Sequence, residues 1–358
     1  MRLRQIGFIL CGALLSFVAA AQTLALKENH PQTYVVKKGD TLWDISAHFL
    51  KSPWLWPRLW QANPQVKNPH LIYPGDLLTL IWVDGEPRLV RKPTIKLSPT
   101  MRVEPKASPI PVLSFDEIGP FLTSNHVFEA DVDLDKLPYV LGENENSIAM
   151  QEGQTLFVRG ALQPGVSYAI YRPGELYKDR VTKEALGREA LLSGLGVAQQ
   201  AYAEDRSVLT VTRSYREIRQ GDRLIPVPSQ ESLNAYFSPQ PGTLHNEQAY
   251  VVDTPYKVTS VGKFDVVLIN RGARDQVQPG DVFSVLRPGA KVVDSGANDV
   301  SYREYGSAGD KLFASDSEVL PNDRVGEVMV IKVYDKLSMA FVMNSQNMVR
   351  KGYALANP

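Results

Sequence analysis

Cysteine is almost absent from this sequence. Among the 358 residues there is one cysteine, Cys11, which lies in an uncharged apolar run from Ile6 to Ala20. If the chain is cleaved after that run, no thiol remains, which excludes disulfide bonds and a cysteine nucleophile of the papain-like or transpeptidase kind. Leu10 precedes Cys11 where lipoprotein processing favours a small residue, so we expect no lipid anchor.

Histidine is also scarce, and its spacing argues against a zinc enzyme. No two histidines fall in a His-x-His or His-Glu-x-x-His pattern, the spacing by which zinc peptidases hold their metal. The sequence lacks Gly-x-Ser-x-Gly and a phosphate-binding loop as well. We therefore expect no metal, no cofactor and no enzymatic activity. The five histidines are His30, His48, His70, His126 and His245.

Carboxylates leave two alternatives open. An Asp and a Glu that the fold brings to within about 5 to 10 Å of each other could cleave a glycan, and no motif would reveal them. Asp131, Asp133 and Asp135 are spaced like the start of a calcium loop, but Lys136 stands where that loop needs glycine. A solvated acidic turn is the simpler interpretation of the second pattern.

Long hydrophobic runs are missing except at the N-terminus. Met1 to Arg4 is basic, the apolar run follows, and Ala19 to Ala21 offers the small residues of a cleavage site, as in a secretory signal peptide. The run is shorter than the about 20 apolar residues of a spanning helix. We expect export with cleavage near Ala21, leaving residues 1–21 as the signal peptide, with an uncleaved anchor as the alternative.

Excess positive charge is lacking too. The 39 basic residues equal the 39 acidic ones, and cleavage would remove Arg2 and Arg4 from the basic side. Bulk attraction to nucleic acid is therefore not indicated. With 44% hydrophobic and 22% charged residues, the chain has the composition of a soluble globular protein, and its length suits two or three domains.

The first of these domains is predicted from local patterns over residues 33–82. Thr41 and Asp44 have the spacing of a helix-capping box, and Leu42, Ile45 and Phe49 follow at helical spacing. The predicted elements are a strand over Tyr34 to Val36, a helix from Thr41, a second helix from near Pro57 to Asn63-Pro64, and a strand over Leu77 to Ile81, with turns at Lys38 to Asp40 and at Tyr73 to Asp76.

Three motifs in this region resemble a LysM domain: Gly39 to Ile45 (GDTLWDI), Asn63-Pro64, and Ile72 to Asp76 (IYPGD). The resemblance implies a βααβ fold that binds N-acetylglucosamine-containing glycans, such as peptidoglycan, in a shallow groove. That groove would lie between the loop after the first strand and the loop before the last. Its expected residues are Gly39, Asp40, Thr41, Leu42, Asn63, Ile72, Tyr73 and Gly75.

Each of these residues also has a structural explanation. Gly39 and Gly75 suit turns, Thr41 suits a helix cap, and Leu42 suits a hydrophobic core. All five tryptophans of the chain lie in this region, and a domain of this size needs large side chains for its core. We expect most of the tryptophans to be structural and one or two to be exposed.

A proline-rich basic stretch follows at residues 83–111. Prolines recur at positions 87, 93, 99, 105 and 111, which excludes a regular helix. An extended linker is predicted, able to hold the LysM domain away from the rest of the chain. The alternative is that Thr94 to Leu97 and Met101 to Glu104 form edge strands on the following domain.

The remainder contains an internal repeat, with copies at residues 112–230 and 249–358. Three pairs of segments match in the same order, and both copies alternate short β-rich runs with Gly, Pro and Asp turns, except for a helix predicted over Lys183 to Leu192. The second copy also resembles, over few residues, the C-terminal β-domain of a flagellar-ring assembly protein of Gram-negative bacteria. The matching segments are Pro138 to Ala161 with Ala249 to Ala273, Tyr171 to Gly174 with Leu286 to Gly289, and Ser214 to Gly221 with Ser345 to Gly352.

The sequence thus predicts an α+β fold, a small LysM module followed by two tandem, mainly antiparallel β-domains. The expected function is non-catalytic binding of peptidoglycan in the periplasm or cell wall, with the β-repeats engaging a protein partner. Two alternatives remain: a glycan hydrolase with unrecognised carboxylates, and a structural component of an envelope assembly.

Overall fold

The computed structural model describes residues 24–60, 72–92, 125–145, 148–227, 239–245, 248–254, 258–294, 300–302 and 317–358. They form a small α/β module followed by two β-rich units. We call the strands from residue 125 to residue 226 unit 1, and those from residue 240 to residue 356 unit 2. Within these residues, no helix has the length and apolar character needed to cross a membrane.

The first module has the predicted strand–helix–helix–strand order. It comprises β1 (Thr33–Val35), α1 (Leu42–Phe49), a 3₁₀ turn (Pro53–Leu55), α2 (Trp56–Trp60) and β2 (Leu77–Val83), and β1 pairs antiparallel with β2. Thr41 caps α1, because its hydroxyl accepts the backbone N–H of Asp44 at 3.1 Å and donates to the Asp44 carboxylate at 2.7 Å. Trp43, Trp54, Trp56 and Trp60 are buried and Trp82 is 63% exposed, as expected.

A third strand extends this module beyond its predicted end. β3 (Glu86–Lys92) pairs with β2 along its whole length, and Leu89 packs in the module core opposite Leu80. Asp84 and Gly85 make the tight turn, with φ of 52° and 79°, which suits an Asp-Gly hairpin. The prediction of a linker from residue 83 is therefore wrong for residues 83–92. The alternative strands from Thr94 and Met101 lie outside the described residues.

Unit 1 is a closed six-stranded barrel with an extension. Going round the barrel, the neighbours are β5, β6, β9, β8, β7 and β10, and β10 returns to β5. The helix predicted over Lys183 to Leu192 is wrong, because most of these residues belong to β8, which pairs with both β7 and β9. The strands are β4 (Asn125–Glu129), β5 (Tyr139–Gly142), β6 (Thr155–Arg159), β7 (Ser167–Lys178), β8 (Ala185–Ala198), β9 (Arg206–Ser214) and β10 (Arg223–Pro226).

Unit 2 repeats the same order of neighbours. Its strands run β12, β13, β19, β18, β14 and β20 around the barrel, and a bridge between Tyr250 and Ala354 closes it. The strands are β11 (Gln240–Pro241), β12 (Val251–Asp253), β13 (Val266–Ile269), β14 (Asp281–Arg287), β15 (Lys291–Asp294), β16 (Val300–Tyr302), β17 (Ser317–Val319), β18 (Asp323–Val333), β19 (Ser338–Ser345) and β20 (Ala354–Ala356).

Individual backbone contacts also correspond between the two units. Val140 N–H donates to the Asp222 carbonyl at 2.9 Å, and the Val140 carbonyl accepts Gly221 N–H at 2.9 Å. Val251 makes the same pair of bonds, donating to the Tyr353 carbonyl at 2.9 Å and accepting Gly352 N–H at 2.8 Å. The ladders that β9 and β19 form also match. In unit 1 the register between β8 and β9 shifts after Leu195, one residue beyond the Gly194–Ser214 pair. In unit 2 the register between β18 and β19 shifts after Glu327, one residue beyond the Gly326–Ser345 pair. Positions can therefore be compared between the units strand by strand.

The first module packs on the outer face of the unit 2 barrel. Along β19 the residues alternate: Ala340 and Val342 belong to the barrel interior, whereas Met339, Phe341 and Met343 join the hydrophobic cluster of the first module. The corresponding residues of β9 are Val208 and Thr210, both half-buried, and Thr212, exposed. This face of the strand is thus apolar at all three positions in unit 2 and at one of three in unit 1, which suits packing against a neighbour in unit 2.

The two units contact each other through the extension of unit 1. β7 and β8 continue past the barrel, β4 pairs with β8 there, and Val127, Tyr177 and Leu186 of this extension pack against Tyr250, Val252, Tyr334 and Leu337 of unit 2. At its end Glu184 pairs with Arg274 and Lys336 of unit 2, both at 2.8 Å. The cluster is buried and apolar, with ion pairs at its rim.

Candidate glycan-binding site

Two loops of the first module lie side by side at the end of its sheet. Gly75 N–H donates to Val36 at 2.8 Å, and Val36 N–H donates to Asp76 at 3.0 Å. These bonds place the loop of residues 37–41 next to the loop of residues 72–76. Gly39 and Gly75 have φ of 96° and 93°, a left-handed conformation that favours glycine, and both are exposed.

Carboxylates hold both loops in shape from within. The Asp40 carboxylate accepts Lys37 N–H at 2.8 Å and the Tyr34 hydroxyl at 2.9 Å, and the Asp76 carboxylate accepts Tyr73 N–H at 2.9 Å. Burial, followed by the hydrogen bond to Asp40, raises the pKa of Tyr34 to about 12, so its hydroxyl keeps the proton that it donates. The loops are thus preorganised, with their carboxylates engaged in supporting the backbone.

Three of the predicted site residues are buried. Thr41 is 4% exposed, Leu42 0% and Ile72 1%. The Thr41 hydroxyl is engaged by Asp44, and Leu42 and Ile72 pack in the module core. The expectation that the Leu42 and Ile72 side chains offer apolar contact to a sugar does not fit this burial, because a fully buried side chain presents no surface to a ligand.

Four of the five remaining predicted residues are accessible to solvent, and the fifth lies outside the described residues. Gly39 and Gly75 are exposed, and Asp40 and Tyr73 are partly exposed. A Cβ added at either glycine would meet nothing within 4 Å. Asn63 lies outside the described residues. The accessible surface at the loops therefore combines exposed backbone at the two glycines with the exposed side chains of Lys37 and Lys38 and part of Tyr73.

Unit 2 reaches the edge of this site, which the sequence did not lead us to expect. The Lys263 ammonium lies 3.6 Å from the Asp44 carboxylate that caps α1, and Phe264 packs against the cluster of the first module. Phe264 has φ of 74°, whereas Gly153, at the same turn of unit 1, has 85°. The available signal was the run Ser338 to Met343 (SMAFVM), which is apolar on both faces of a strand.

Other candidate chemistry within the described residues is limited. No group of three or more His, Cys, Asp or Glu side chains there could hold a metal ion. Asp133, from the calcium-like pattern, accepts Asp135 N–H at 3.1 Å and pairs with Lys136 at 3.2 Å, as in a solvated turn. Ser260 and Lys263 have Ser-x-x-Lys spacing, but the Lys263 ammonium lies 3.6 Å from the Asp44 carboxylate and 4.2 Å from the Phe264 ring centre.

Comparison with known proteins agrees with the fold of the first module. Residues 34–80 match the model of the LysM domain family. The uncharacterized protein YqbP of Bacillus subtilis strain 168 is 37% identical over 60 residues, which are 14% of this chain and 27% of YqbP. The match thus spans about a quarter of that relative. LysM domains bind peptidoglycan and related N-acetylglucosamine glycans and occur typically in cell-envelope proteins. The chain therefore contains a LysM domain, formed by β1, α1, α2 and β2.

Proposed function

We propose that this protein is an exported, non-catalytic envelope protein that binds peptidoglycan through the loops of residues 37–41 and 72–76. The observation that supports this most is the pairing of these two loops within a LysM domain, with Gly39 and Gly75 exposed in left-handed turns. Backbone amides and carbonyls at such turns can approach an acetamido group closely, because no Cβ intervenes. The mature chain would serve as a wall-bound platform whose β units engage a partner.

The expected affinity is low. The accessible surface is small: backbone groups at the two glycines, the Lys37 and Lys38 side chains and part of Tyr73. Each hydrogen bond to a sugar contributes a net of only about 1 kcal/mol. Dissociation constants of roughly micromolar to millimolar follow for a single short glycan. A glycan strand in the wall repeats the same sugars, so binding there is helped by many equivalent sites.

We also infer that the two β units arose by duplication. In support, both barrels have the same order of neighbouring strands, the same register shift near Gly194 and Gly326, and matching bonds at Val140 and Val251. An export signal at residues 1–21 belongs to the same proposal, resting on the basic start, the apolar run and the alanines before Gln22.

Two matched variants test the proposed site. Gly39→Trp adds a large side chain in one of the two loops, whereas Gly85→Trp adds one at the β2–β3 turn of the same module. Both glycines have positive φ, 96° and 79°, and open space around them, so the two variants carry similar backbone strain. In sedimentation with purified sacculi, the mature wild-type chain and Gly85→Trp should pellet and Gly39→Trp should stay in the supernatant.

The same samples test the absence of catalysis. Wild-type protein incubated with sacculi should release no soluble fragments above a buffer control. Fragment release that a single Asp or Glu substitution abolishes would favour a glycan hydrolase. Equal pelleting of Gly39→Trp and Gly85→Trp, with circular dichroism showing intact folds, would place wall binding elsewhere in the chain.

A further inference from the structure

The outer face of the unit 1 barrel is covered by the chain's own residues 127–137, which we call the cover segment. The segment contains the end of β4 and a short 3₁₀ turn. Three of its side chains, Phe128, Leu134 and Leu137, form one apolar cluster with residues of β7, β8 and β10. The Phe128 ring meets the Tyr171 ring edge-on, with the ring centres 6.1 Å apart. This face of unit 1 is therefore shielded from water.

The corresponding face of unit 2 follows from the register of its strands. β7 shifts register between Ile170 and Tyr171, and β14 shifts between Val285 and Leu286. Ile170 and Val285 point into their barrels, so the residues that follow them point outward. Leu286 therefore takes the place of Tyr171 on the outer face, and the adjacent strand β20 takes the place of β10.

Smaller side chains line this face in unit 2 than in unit 1. At three corresponding positions, one aromatic, one long and one branched side chain are replaced by a leucine and two alanines. A groove of about 560 Å³ opens above them, within the range of roughly 300–1,000 Å³ that is usual for binding pockets. The three positions are Tyr171, Arg223 and Ile225 in unit 1 and Leu286, Ala354 and Ala356 in unit 2.

The groove has an apolar floor and an amide rim. Leu244 lies at the rim, and its N–H donates to the Asn357 side-chain carbonyl at 2.7 Å. The side-chain carbonyl of Asn322, also at the rim, accepts a backbone N–H at 3.1 Å. Among the described residues, the side-chain N–H groups of the two asparagines have no acceptor, so they can donate to a bound chain. In unit 1 the side chain of Arg223 plays this role, because its Nε donates to the Leu134 carbonyl at 2.7 Å.

The edge of the sheet beside the groove is exposed as well. In unit 1, β4 pairs with β8 so that Phe128 lies opposite Arg188. Leu176 and Lys291 stand the same number of residues beyond the register shifts of β7 and β14, and they pair with Arg188 and Val319. Val319 of β17 therefore takes the place of Arg188, and it is 57% exposed. In the part of the chain that the structure describes, unit 2 thus exposes both surfaces that the cover segment occupies in unit 1.

We propose that this groove and the edge at Val319 bind an apolar strand-and-turn segment of a partner protein, one that resembles the cover segment. The occupant is inferred from unit 1, where the same face of the same barrel is covered by a phenylalanine and two leucines of such a segment. The small floor residues admit large apolar side chains, and the asparagine amides suit backbone carbonyls. The inference rests on the proposed function only for the role of the β units in engaging a partner.

A second copy of the chain fits the groove less well than another protein does. Its cover segment is already packed on its own unit 1, where Phe128 is 2% exposed and β4 is paired with β8. Moving that segment to a neighbouring molecule would expose the apolar cluster that it covers. A separate partner has no such cost.

A peptide with the sequence of residues 127–137 (VFEADVDLDKL) is the probe. Followed by fluorescence polarisation, the labelled peptide should bind the full-length mature protein with a dissociation constant of roughly 10 μM to 1 mM. A peptide in which Phe128, Leu134 and Leu137 are replaced by alanine should bind at least tenfold more weakly. No glycan is present, so this test and the sacculus test of the proposed function can fail separately.

Variants of the protein locate the binding. Val319→Asp places a charge on the apolar edge, and Ala356→Trp fills the floor of the groove, so each should weaken peptide binding at least tenfold. Met348→Asp is the matched control and should bind like wild type, because Met348 is also 57% exposed but lies beside Gly262, outside the groove. Circular dichroism checks each fold. Val319 is at the surface, so Val319→Asp keeps the test informative where Ala356→Trp does not fold.

Three outcomes would overturn the proposal. The first is a wild-type protein that does not bind the peptide at millimolar concentration. The second is equal binding by wild type, Val319→Asp and Met348→Asp, or equal binding of the alanine-substituted peptide. The third is self-association of the wild type in sedimentation velocity that Val319→Asp abolishes, which would identify a second copy as the occupant.

Discussion

At the scale of single residues, backbone conformation shows where unit 2 has been adapted to hold the LysM domain. Gly153 and Phe264 occupy the same turn in the two barrels with φ of 85° and 74°. Phenylalanine is strained in this conformation, by roughly 1–2 kcal/mol, where glycine is not. The strain is retained because the ring packs against the LysM core. The contact between the two domains therefore comes with backbone strain at Phe264.

This strain predicts an unusual order of stabilities. Phe264→Gly and Phe264→Ala both lose the ring contact, but alanine keeps the unfavourable φ and glycine does not. We expect Phe264→Ala to be less stable than Phe264→Gly by about 1 kcal/mol in urea unfolding, the reverse of the usual order at an ordinary position. A more stable alanine variant would mean that the turn is not strained.

At the scale of elements, β3 extends the folded module beyond the LysM domain that β1, α1, α2 and β2 form. Leu89 is 1% exposed and packs in the module core, whereas Val90 points to the opposite, half-buried face. Leu89→Ala should therefore destabilise the protein by roughly 2–4 kcal/mol, and Val90→Ala by less than about 1 kcal/mol. Urea unfolding followed by tryptophan fluorescence measures both, because all five tryptophans lie in this module. Equal, small effects would return residues 86–92 to the role of a linker.

The elements predicted correctly are those that local sequence determines. The Thr41 cap, the Leu42–Ile45–Phe49 face and the two glycine turns specify the LysM domain without help from the rest of the chain. β8 was predicted in part as a helix because Ala, Leu, Glu and Arg between residues 183 and 192 favour helices. Pairing with β7 and β9 overrides that preference, and such pairing depends on residues that are distant in sequence.

At the scale of the whole molecule, the LysM domain is packed against unit 2, and unit 1 is bonded to unit 2. Neither contact could be predicted from local patterns, because the residues that form it are far apart in the sequence. Lys263 and Asp44 are more than 100 residues apart, and Arg274 and Glu184 are 90 apart. Local patterns also failed to predict the burial of some site residues. Their presence in a LysM motif was predictable, but the burial of Leu42 and Ile72 depends on the packed core.

Acid should loosen the contact between the units. Hydrogen bonds from Arg274 and Lys336 lower the pKa of Glu184 to about 2. A carboxylate with a lowered folded-state pKa stabilises the fold above its unfolded pKa of about 4.3 and loses that contribution as pH falls toward its folded value. The difference in thermal midpoint between wild type and Glu184→Gln should therefore shrink between about pH 4.5 and pH 2.5. The effect is small, since the side chain is 37% exposed. A difference that does not change with pH would contradict it.

Binding of glycan at the two paired loops is tested most directly by NMR titration of the deuterated, full-length mature protein with an N-acetylglucosamine oligosaccharide. We expect shifts of the backbone amides of residues 37–42 and 72–76, saturating with a dissociation constant of roughly micromolar to millimolar. The same amides should stay unchanged in Gly39→Trp and shift normally in Gly85→Trp. Shifts confined to the β units, or no shifts at millimolar ligand, would contradict the assignment of glycan binding to these loops.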